Sequence, residues 1–390
     1  NKIYGGTIML SRLKLDSKLR REIDYKLLVS MILIVLFGIL NIYLGTKSQW
    51  GFFFAKKQLI WFIISMVALY IILLWNYNII YNYVEIFYWG SIVLLIITRF
   101  AGSVINGARG WIVLGPVSIQ PSELAKTAMI LMLAKKMEQV DLRINDFRNF
   151  IKVAMYAIIP MIFIVVQPDM GMTMVSFFIA LGIFFAAGLD MKVIGAGLLS
   201  IIVAIALVWN SGLIKDYQKA RLVGFLNPDG DELGINLQLT QSKIGIGSGG
   251  FLGTGLDLNG EVGGYSSEFV PERQTDFIFA VIGEHWGTVG GMFLLLLYGI
   301  MIYRMIMTAK TSKDIFGSII CVGFASYFIF AILQNIGMTI GIMPITGITL
   351  PLVSYGGSSL LTTIMSIALV LNISMRKKKL KIGRASCRER

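Results

Sequence analysis

KLLVSMILIVLFGILNIYL, residues 26–44, decides the fold: nineteen residues carrying one charge, Lys26, at the edge. At ~1.5 Å per residue, a helix of this length crosses a hydrocarbon core of ~30 Å. Lipid offers no hydrogen bonds to the backbone, so a spanning segment must be a helix or part of a closed barrel. Barrel strands are ~10 residues long and alternate polar with apolar. This stretch does not alternate, and a helix is predicted.

Nine further apolar blocks follow, near 52–75, 79–98, 121–137, 151–168, 171–188, 192–210, 276–303, 315–341 and 350–373. Glu85 and several tyrosines interrupt the block at 79–98. The chain has 390 residues, 56% hydrophobic and 15% charged, against roughly 25% charged for a soluble domain. The expected class is all-α: a polytopic integral membrane protein of about ten transmembrane helices, with one long extracytoplasmic loop near 211–275. The net charge of +13 does not indicate nucleic acid, because the basic residues flank apolar blocks instead of forming a groove-sized patch. Two cysteines cannot build a disulfide framework. Cys321 lies inside an apolar block and reads as a small buried hydrophobe.

Both ends read as foreign to the fold. Gly5-Gly6 can be encoded as a ribosome-binding sequence ahead of Met9, and IGRASCRER (382–390) matches a translated sequencing adapter. A single membrane domain over 9–381 is therefore expected, with 1–8 and 382–390 outside it. Lys and Arg near the helix ends set orientation. With the N-terminus inside, cytoplasmic segments carry Arg12, Lys14, Arg20, Arg21, Lys135, Lys136, Arg304 and the basic tail 376–381, among others. The short outer segments carry only Lys47, Lys56, Lys57, Arg99 and Arg109. Both termini are expected in the cytoplasm, which places 99–120 and 211–275 outside. Nine glycines between Gly245 and Gly264 read either as flexible turns or as backbone lying close to a substrate. They form no phosphate-binding loop, since no Gly-Lys-Ser/Thr follows.

Ionisable groups at membrane depth cost roughly 2.5–3.5 kcal/mol each and need a partner or a function. Three clusters stand out. Arg109-Gly110-Trp111 runs into Gln120-Pro121-Ser122-Glu123-Leu124-Ala125-Lys126, where Pro121 suits a first helical turn and Glu123 and Lys126 share a face. They read as a self-satisfied ion pair or as a charged cavity, with Lys126 and Arg109 toward phosphate. Trp111 reads as an interfacial anchor or a platform for a sugar ring. Asp276 lies where the long loop meets an apolar helix, as a helix cap or as a general base with a raised pKa. Asp169, in Gln167-Pro168-Asp169, reads as a cap. His285, the only histidine, reads as a packing residue, and no metal-ligand spacing or Ser/His/Asp triad is present. Without a nucleotide motif, an enzyme of this kind would take its energy from an activated lipid-linked donor.

GARGWIVLGPVSIQPSELAK (107–126), QPDMG (167–171), NPDGDELGINLQLTQSKIGIGSGGFLGTG (227–255), FVPERQTDFIFAVIGEHWG (269–287) and QNIGMTIGIMPITGITLPLVSYGGSS (334–359) resemble the SEDS family of RodA, FtsW and SpoVE, with several details more like RodA than FtsW. The resemblance implies a ten-helix peptidoglycan glycosyltransferase that uses lipid II, releases undecaprenyl pyrophosphate and works with a class B penicillin-binding protein and other elongation-complex membrane proteins. It implies that Asp276 is the essential aspartate of the TDFIF motif and Trp111 the sensitive tryptophan of GARGW. By the same resemblance Glu123 and Lys126 line the central cavity, and Arg109 is the basic position beside Trp111. His285 and Trp286 depart from the pattern, which usually has Glu and an apolar residue before Gly287; Glu284 is kept. The expected reaction is an inverting glycosyl transfer with Asp276 as base. Arg109 and Lys126, or a divalent cation such as Mg or Mn, would balance the leaving pyrophosphate. Rival readings are a lipid II flippase and a non-catalytic scaffold that activates the penicillin-binding protein.

Overall fold

A computed structural model describes residues 17–105, 108–115, 117–208, 219, 224–225, 237–255 and 269–377 of the chain. Helices α1 (Ser17–Arg21), α2 (Tyr25–Trp50), α3 (Phe53–Leu74) and α4 (Tyr77–Ala101) lead into strands β1 (Ser103–Ile105), β2 (Ala108–Leu114) and β3 (Val117–Ile119). Then come α5 (Pro121–Gln139), α6 (Phe147–Val166), α7 (Met170–Ala186), α8 (Met191–Val208) and α9 (Leu237–Gly249). The long α10 (Ile278–Thr311), α11 (Ile315–Ile340) and α12 (Gly357–Met375) complete the described fold.

Each apolar block expected from the sequence carries a helix. Seven of them, α2, α3, α4, α6, α10, α11 and α12, are long and apolar enough to cross a membrane. The chain is an all-α multi-pass membrane protein. Asp24, Asn76, Asp146 and Asp314 start α2, α4, α6 and α11 by accepting backbone N–H groups of the first turn. Lipid sorts the helices by composition. In α3, only 22% of the apolar window is buried, and Ile63, Val67 and Ile71 point outward. In α11 and α12 the buried share rises to 72% and 78%.

α5 is the most polar of these helices, yet nearly every residue from Pro121 to Met137 is buried. It packs against α4, α6, α7, α11 and α12. A helix sheathed in protein on all sides is not required to be apolar, and this makes room for Glu123 and Lys126. Close helix crossings rest on small residues. A Cβ on Gly323 of α11 would lie 2.7 Å from Ile130 of α5, and one on Gly38 of α2 would lie 2.7 Å from the Val353 backbone. Glu85 does not interrupt α4, because Lys135 and Lys136 of α5 pair with it at 3.3 and 3.4 Å. Cys321 is buried in the core, as expected.

Three local features differ from expectation. The strands β1, β2 and β3 form an antiparallel three-stranded sheet in that order. The last helix begins at Gly357, so 341–356 is an irregular segment after α11. α10 is broken at Gly287, whose φ of 62° is left-handed. Most of the expected loop 211–275 lies outside the described residues, as do 1–8 and 382–390. The described part of its glycine run forms α9 and a turn laid against α10. There Thr288 and Val289 donate to Gly250 O and Phe251 O, at 3.0 and 3.2 Å, and Thr254 and Gly255 donate to Glu284 O and His285 O, at 2.9 and 3.3 Å. The turn thus satisfies backbone groups that the break in α10 frees.

Candidate active site

Four segments converge at one end of the bundle: the sheet and its exit to Pro121, the turn 167–169, the turn 269–277, and the irregular segment 341–356. Pro121 opens α5 at its first turn, where a missing N–H costs nothing. Glu123 then sits near the helix N-terminus, where a negative charge is favoured. Its Oε2 accepts from Lys126 Nζ at 2.8 Å and from Thr362 Oγ1 of α12 at 3.1 Å. Lys126 is 1% exposed, with its ammonium 3.5 Å from the ring centroid of Tyr327 on α11. Three helices therefore hold one buried ion pair, whose two charges satisfy each other in a medium where either alone would be costly.

Asp169 caps α7 as expected, its Oδ1 accepting from Met172 N at 2.9 Å. Its Oδ2 accepts from Gln120 Nε2 at 3.0 Å, tying the turn 167–169 to the entry of α5. Burial raises the Asp169 carboxyl above the ordinary carboxylate range, and the Met172 and Gln120 bonds only partly oppose it. Beside it, a Cβ on Gly171 would lie 2.8 Å from Thr346 O. This brings the segment 341–356 against the same turn.

That segment also holds Asp276. Tyr355 N donates to Gln274 O at 2.8 Å, and Ser354 Oγ donates to Thr275 O at 2.6 Å. Asn335 Nδ2 of α11 donates to Asp276 O at 2.8 Å and to Ile348 O at 2.7 Å. Arg273, buried, donates to Gly45 O of α2. The backbone bends at Glu272, with φ 56°, and its carbonyl accepts from Thr275 N and Asp276 N, both at 3.1 Å. Asp276 is half-buried, its Oδ2 lying 3.6 Å from where a Cβ on Gly347 would be. The cap position of α10 belongs to Phe277, with no side-chain cap bond. The link between Asp276 and the Glu123–Lys126 pair runs through 341–356: Gly347 faces Asp276, while Thr346 and Ile348 face Gly171 beside Asp169.

Trp111 is half-buried in β2, opposite Ser103 of β1. Next to it, the open Cα of Gly110 approaches Gln167 Oε1, 3.6 Å from the position of a Cβ. Arg109 pairs by backbone with Val104; its side chain lies outside the described residues. Among the described residues no cluster of three or more His, Cys, Asp or Glu is placed to hold a metal ion. No ligand set is therefore assigned to a divalent cation.

The model of the FtsW/RodA/SpoVE cell cycle proteins matches residues 18–379. The chain belongs to this family, also called SEDS. Among its relatives, the Bacillus subtilis stage V sporulation protein E is 34% identical, over 90% of this chain and 96% of that protein. The peptidoglycan glycosyltransferase RodA of Treponema pallidum is 31% identical, covering 91% and 98%. MrdB of Escherichia coli K12, also named a peptidoglycan glycosyltransferase, is 37% identical over 74% of this chain and 77% of its own. The fold is similar to a chain from a peptidoglycan synthase complex that coordinates polymerization and crosslinking, with TM-score 0.79, 29% identity and coverage of 90% and 97%. It is also similar to the Thermus thermophilus rod shape determining protein RodA, with TM-score 0.69, 27% identity and coverage of 92% and 98%.

His285 and Trp286, the residues expected from the sequence to depart from the SEDS pattern, lie at the break of α10. His285 is buried, its Nδ1 3.2 Å from Gly255 O, and Trp286 Nε1 donates to Asn41 Oδ1 of α2 at 3.0 Å. Ser248 Oγ of α9 donates to Glu284 Oε1 at 3.1 Å. His285 and Glu284 thus bind the glycine turn and α9 to α10, while Trp286 ties α10 to α2. Sequence reasoning missed Thr362 and Tyr327, the partners of the ion pair. Both are ordinary residues in apolar helices, and only the packing of α5 against α11 and α12 gives them a role.

Proposed function

We propose that this SEDS protein is a peptidoglycan glycosyltransferase that polymerises lipid II at the outer face of the bacterial cytoplasmic membrane, for cell elongation and shape. The names of the relatives and the fold they share support the activity. The bias of Lys and Arg supports cytoplasmic termini, with the end bearing Asp276 outside. The observation that carries the reading is a half-buried carboxylate, fixed through its backbone by α11 and 341–356, the segment that also packs on the turn beside Asp169.

In the proposed reaction, Asp276 accepts the proton of the GlcNAc 4-hydroxyl of the acceptor lipid II. The freed oxygen attacks the MurNAc anomeric carbon of the lipid-linked donor strand, the bond to phosphate breaks, and undecaprenyl pyrophosphate leaves with inversion at that carbon. A positioned base contributes typically ~10²–10⁴-fold. Lys126 and Arg109 are the cations proposed to balance the leaving pyrophosphate, since fixed charges stabilise a transition state without reorganising. Lys126 is closed onto Glu123 in this structure, so this duty requires the pair to open toward the bound lipid. Glu123 keeps the ammonium charged and oriented until then. Trp111, on the sheet at the entry of α5, offers a stacking surface for a sugar ring. A class B penicillin-binding protein and other membrane proteins of the elongation complex are the proposed partners.

Reconstitution in vesicles with lipid II and the penicillin-binding partner tests the proposal. Glycan polymer supports it. Movement of lipid II across the bilayer without polymer would instead identify a flippase. If polymer appears only when the partner carries a polymerase domain of its own, this chain is a scaffold.

A further inference from the structure

A cavity of about 470 Å³ opens at the end of the bundle opposite Asp276, where α2 begins and α10 and α12 end. Its volume lies in the range of ligand sites, ~300–1,000 Å³. Arg304 crosses it from α10 to α2, with Nε and Nη2 both 2.7 Å from Asp24 Oδ2, while Asp24 Oδ1 accepts from Leu27 N. That pair is mutually neutral. Of the remaining charged residues lining the cavity, Arg21, Lys26 and Lys377 are exposed cations, and Glu22 is the one acid.

Two exposed tyrosines, Tyr25 and Tyr303, also line the cavity. Aromatic rings of this kind sit at headgroup level. Each begins an apolar row at helical spacing. On α2 the row continues through Val29, Leu33 and Leu36, and on α10 through Ile300, Leu296 and Phe293, all exposed. The helices touch further along, where Phe37 meets Phe293 with ring centroids 5.7 Å apart. A seam of lipid-facing apolar residues therefore leads into a basic cavity.

We propose that this cavity binds the headgroup of an anionic phospholipid whose acyl chains lie along the seam between α2 and α10. A free phosphate would use the cations but not the seam. The lipid would clamp the outer surface of the Asp24–Arg304 crossing, joining α2 to the end of α10 remote from Asp276. Basic pockets between helices at the cytoplasmic surface recognise such headgroups through their charge, worth roughly a five-fold preference per basic residue.

The test uses the full chain in nanodiscs of equal phosphatidylglycerol and phosphatidylcholine, with retained lipid counted by native mass spectrometry. Wild type should retain phosphatidylglycerol preferentially. R21Q/K26Q/K377Q should lose that preference by roughly five-fold per charge removed. Met307→Trp, which fills the cavity without changing charge, should lose it too and carries the test if the triple variant fails to fold. K310Q/K313Q, on exposed lysines outside the cavity lining, should keep it. No preference in wild type, or equal loss in K310Q/K313Q, would overturn the site. Displacement of the lipid by millimolar inorganic phosphate would assign the cavity to a soluble anion and overturn the lipid.

Discussion

The buried pair of Glu123 and Lys126 shows how a single residue can be structural and functional at once. Removing one partner leaves an uncompensated buried charge, which costs about 3–5 kcal/mol. Glu123→Gln and Lys126→Met should therefore each lower the thermal midpoint in detergent. The double variant Glu123→Leu/Lys126→Met should recover much of that loss, because well-packed apolar residues replace an ion pair at little cost. Polymerisation by the double variant should stay low if the pair serves the lipid phosphate. Recovered activity would reduce the pair to packing. Asp169 gives a separate reading of burial. Its folded-state pKa is raised, so the folded protein holds the proton more tightly than the unfolded chain. Stability from this residue is present at low pH and falls as pH rises above the unfolded value of ~3.9 toward the folded one. Asp169→Asn keeps a good cap and should flatten that fall in unfolding midpoints measured across acid pH. A steeper fall would mean the carboxylate is stabilised, not strained.

At the scale of the element, α10 is two half-helices joined at Gly287, with the glycine turn after α9 completing its backbone hydrogen bonds. A side chain at Gly287 would meet the backbone of Phe251 and Gly253 in a left-handed conformation. Gly287→Ala should destabilise by more than 1 kcal/mol, roughly. Gly299→Ala, in the same helix with open space around its Cα, should be neutral or stabilising by up to ~1 kcal/mol. Equal midpoints for the two variants would remove the break as a structural constraint. The break was not legible in the sequence, because Gly287 is one of several glycines in its helix and its partner turn lies more than thirty residues upstream. The sheet over 103–119 was missed for a related reason. Two of its three strands have only three residues and all pair locally, too short for alternation to mark them. The helices themselves were legible, since lipid demands length and apolarity together. α5 was legible despite its polar residues because Pro121 marked its start.

For the whole molecule, sequence supplied Asp276, Glu123 and Lys126 separately, and the fold brings them to one end through 341–356. What holds Asp276 there, the hydrogen bonds of Asn335, Ser354 and Tyr355 to residues 274–276, depends on helix packing that no local pattern encodes. Orientation can be checked directly. In a cysteine-free background, Ser118→Cys should react with an impermeant maleimide in intact cells, and Lys313→Cys only after permeabilisation. The reverse pattern would place Asp276 in the cytoplasm, away from the proposed chemistry. The most direct test of the central claim is lipid II polymerisation by the purified protein with its penicillin-binding partner, wild type beside Asp276→Ala. The expected result is normal membrane insertion and partner binding with polymer reduced by about 10²-fold or more. Near-normal polymer from Asp276→Ala would contradict it and remove this carboxylate from the reaction.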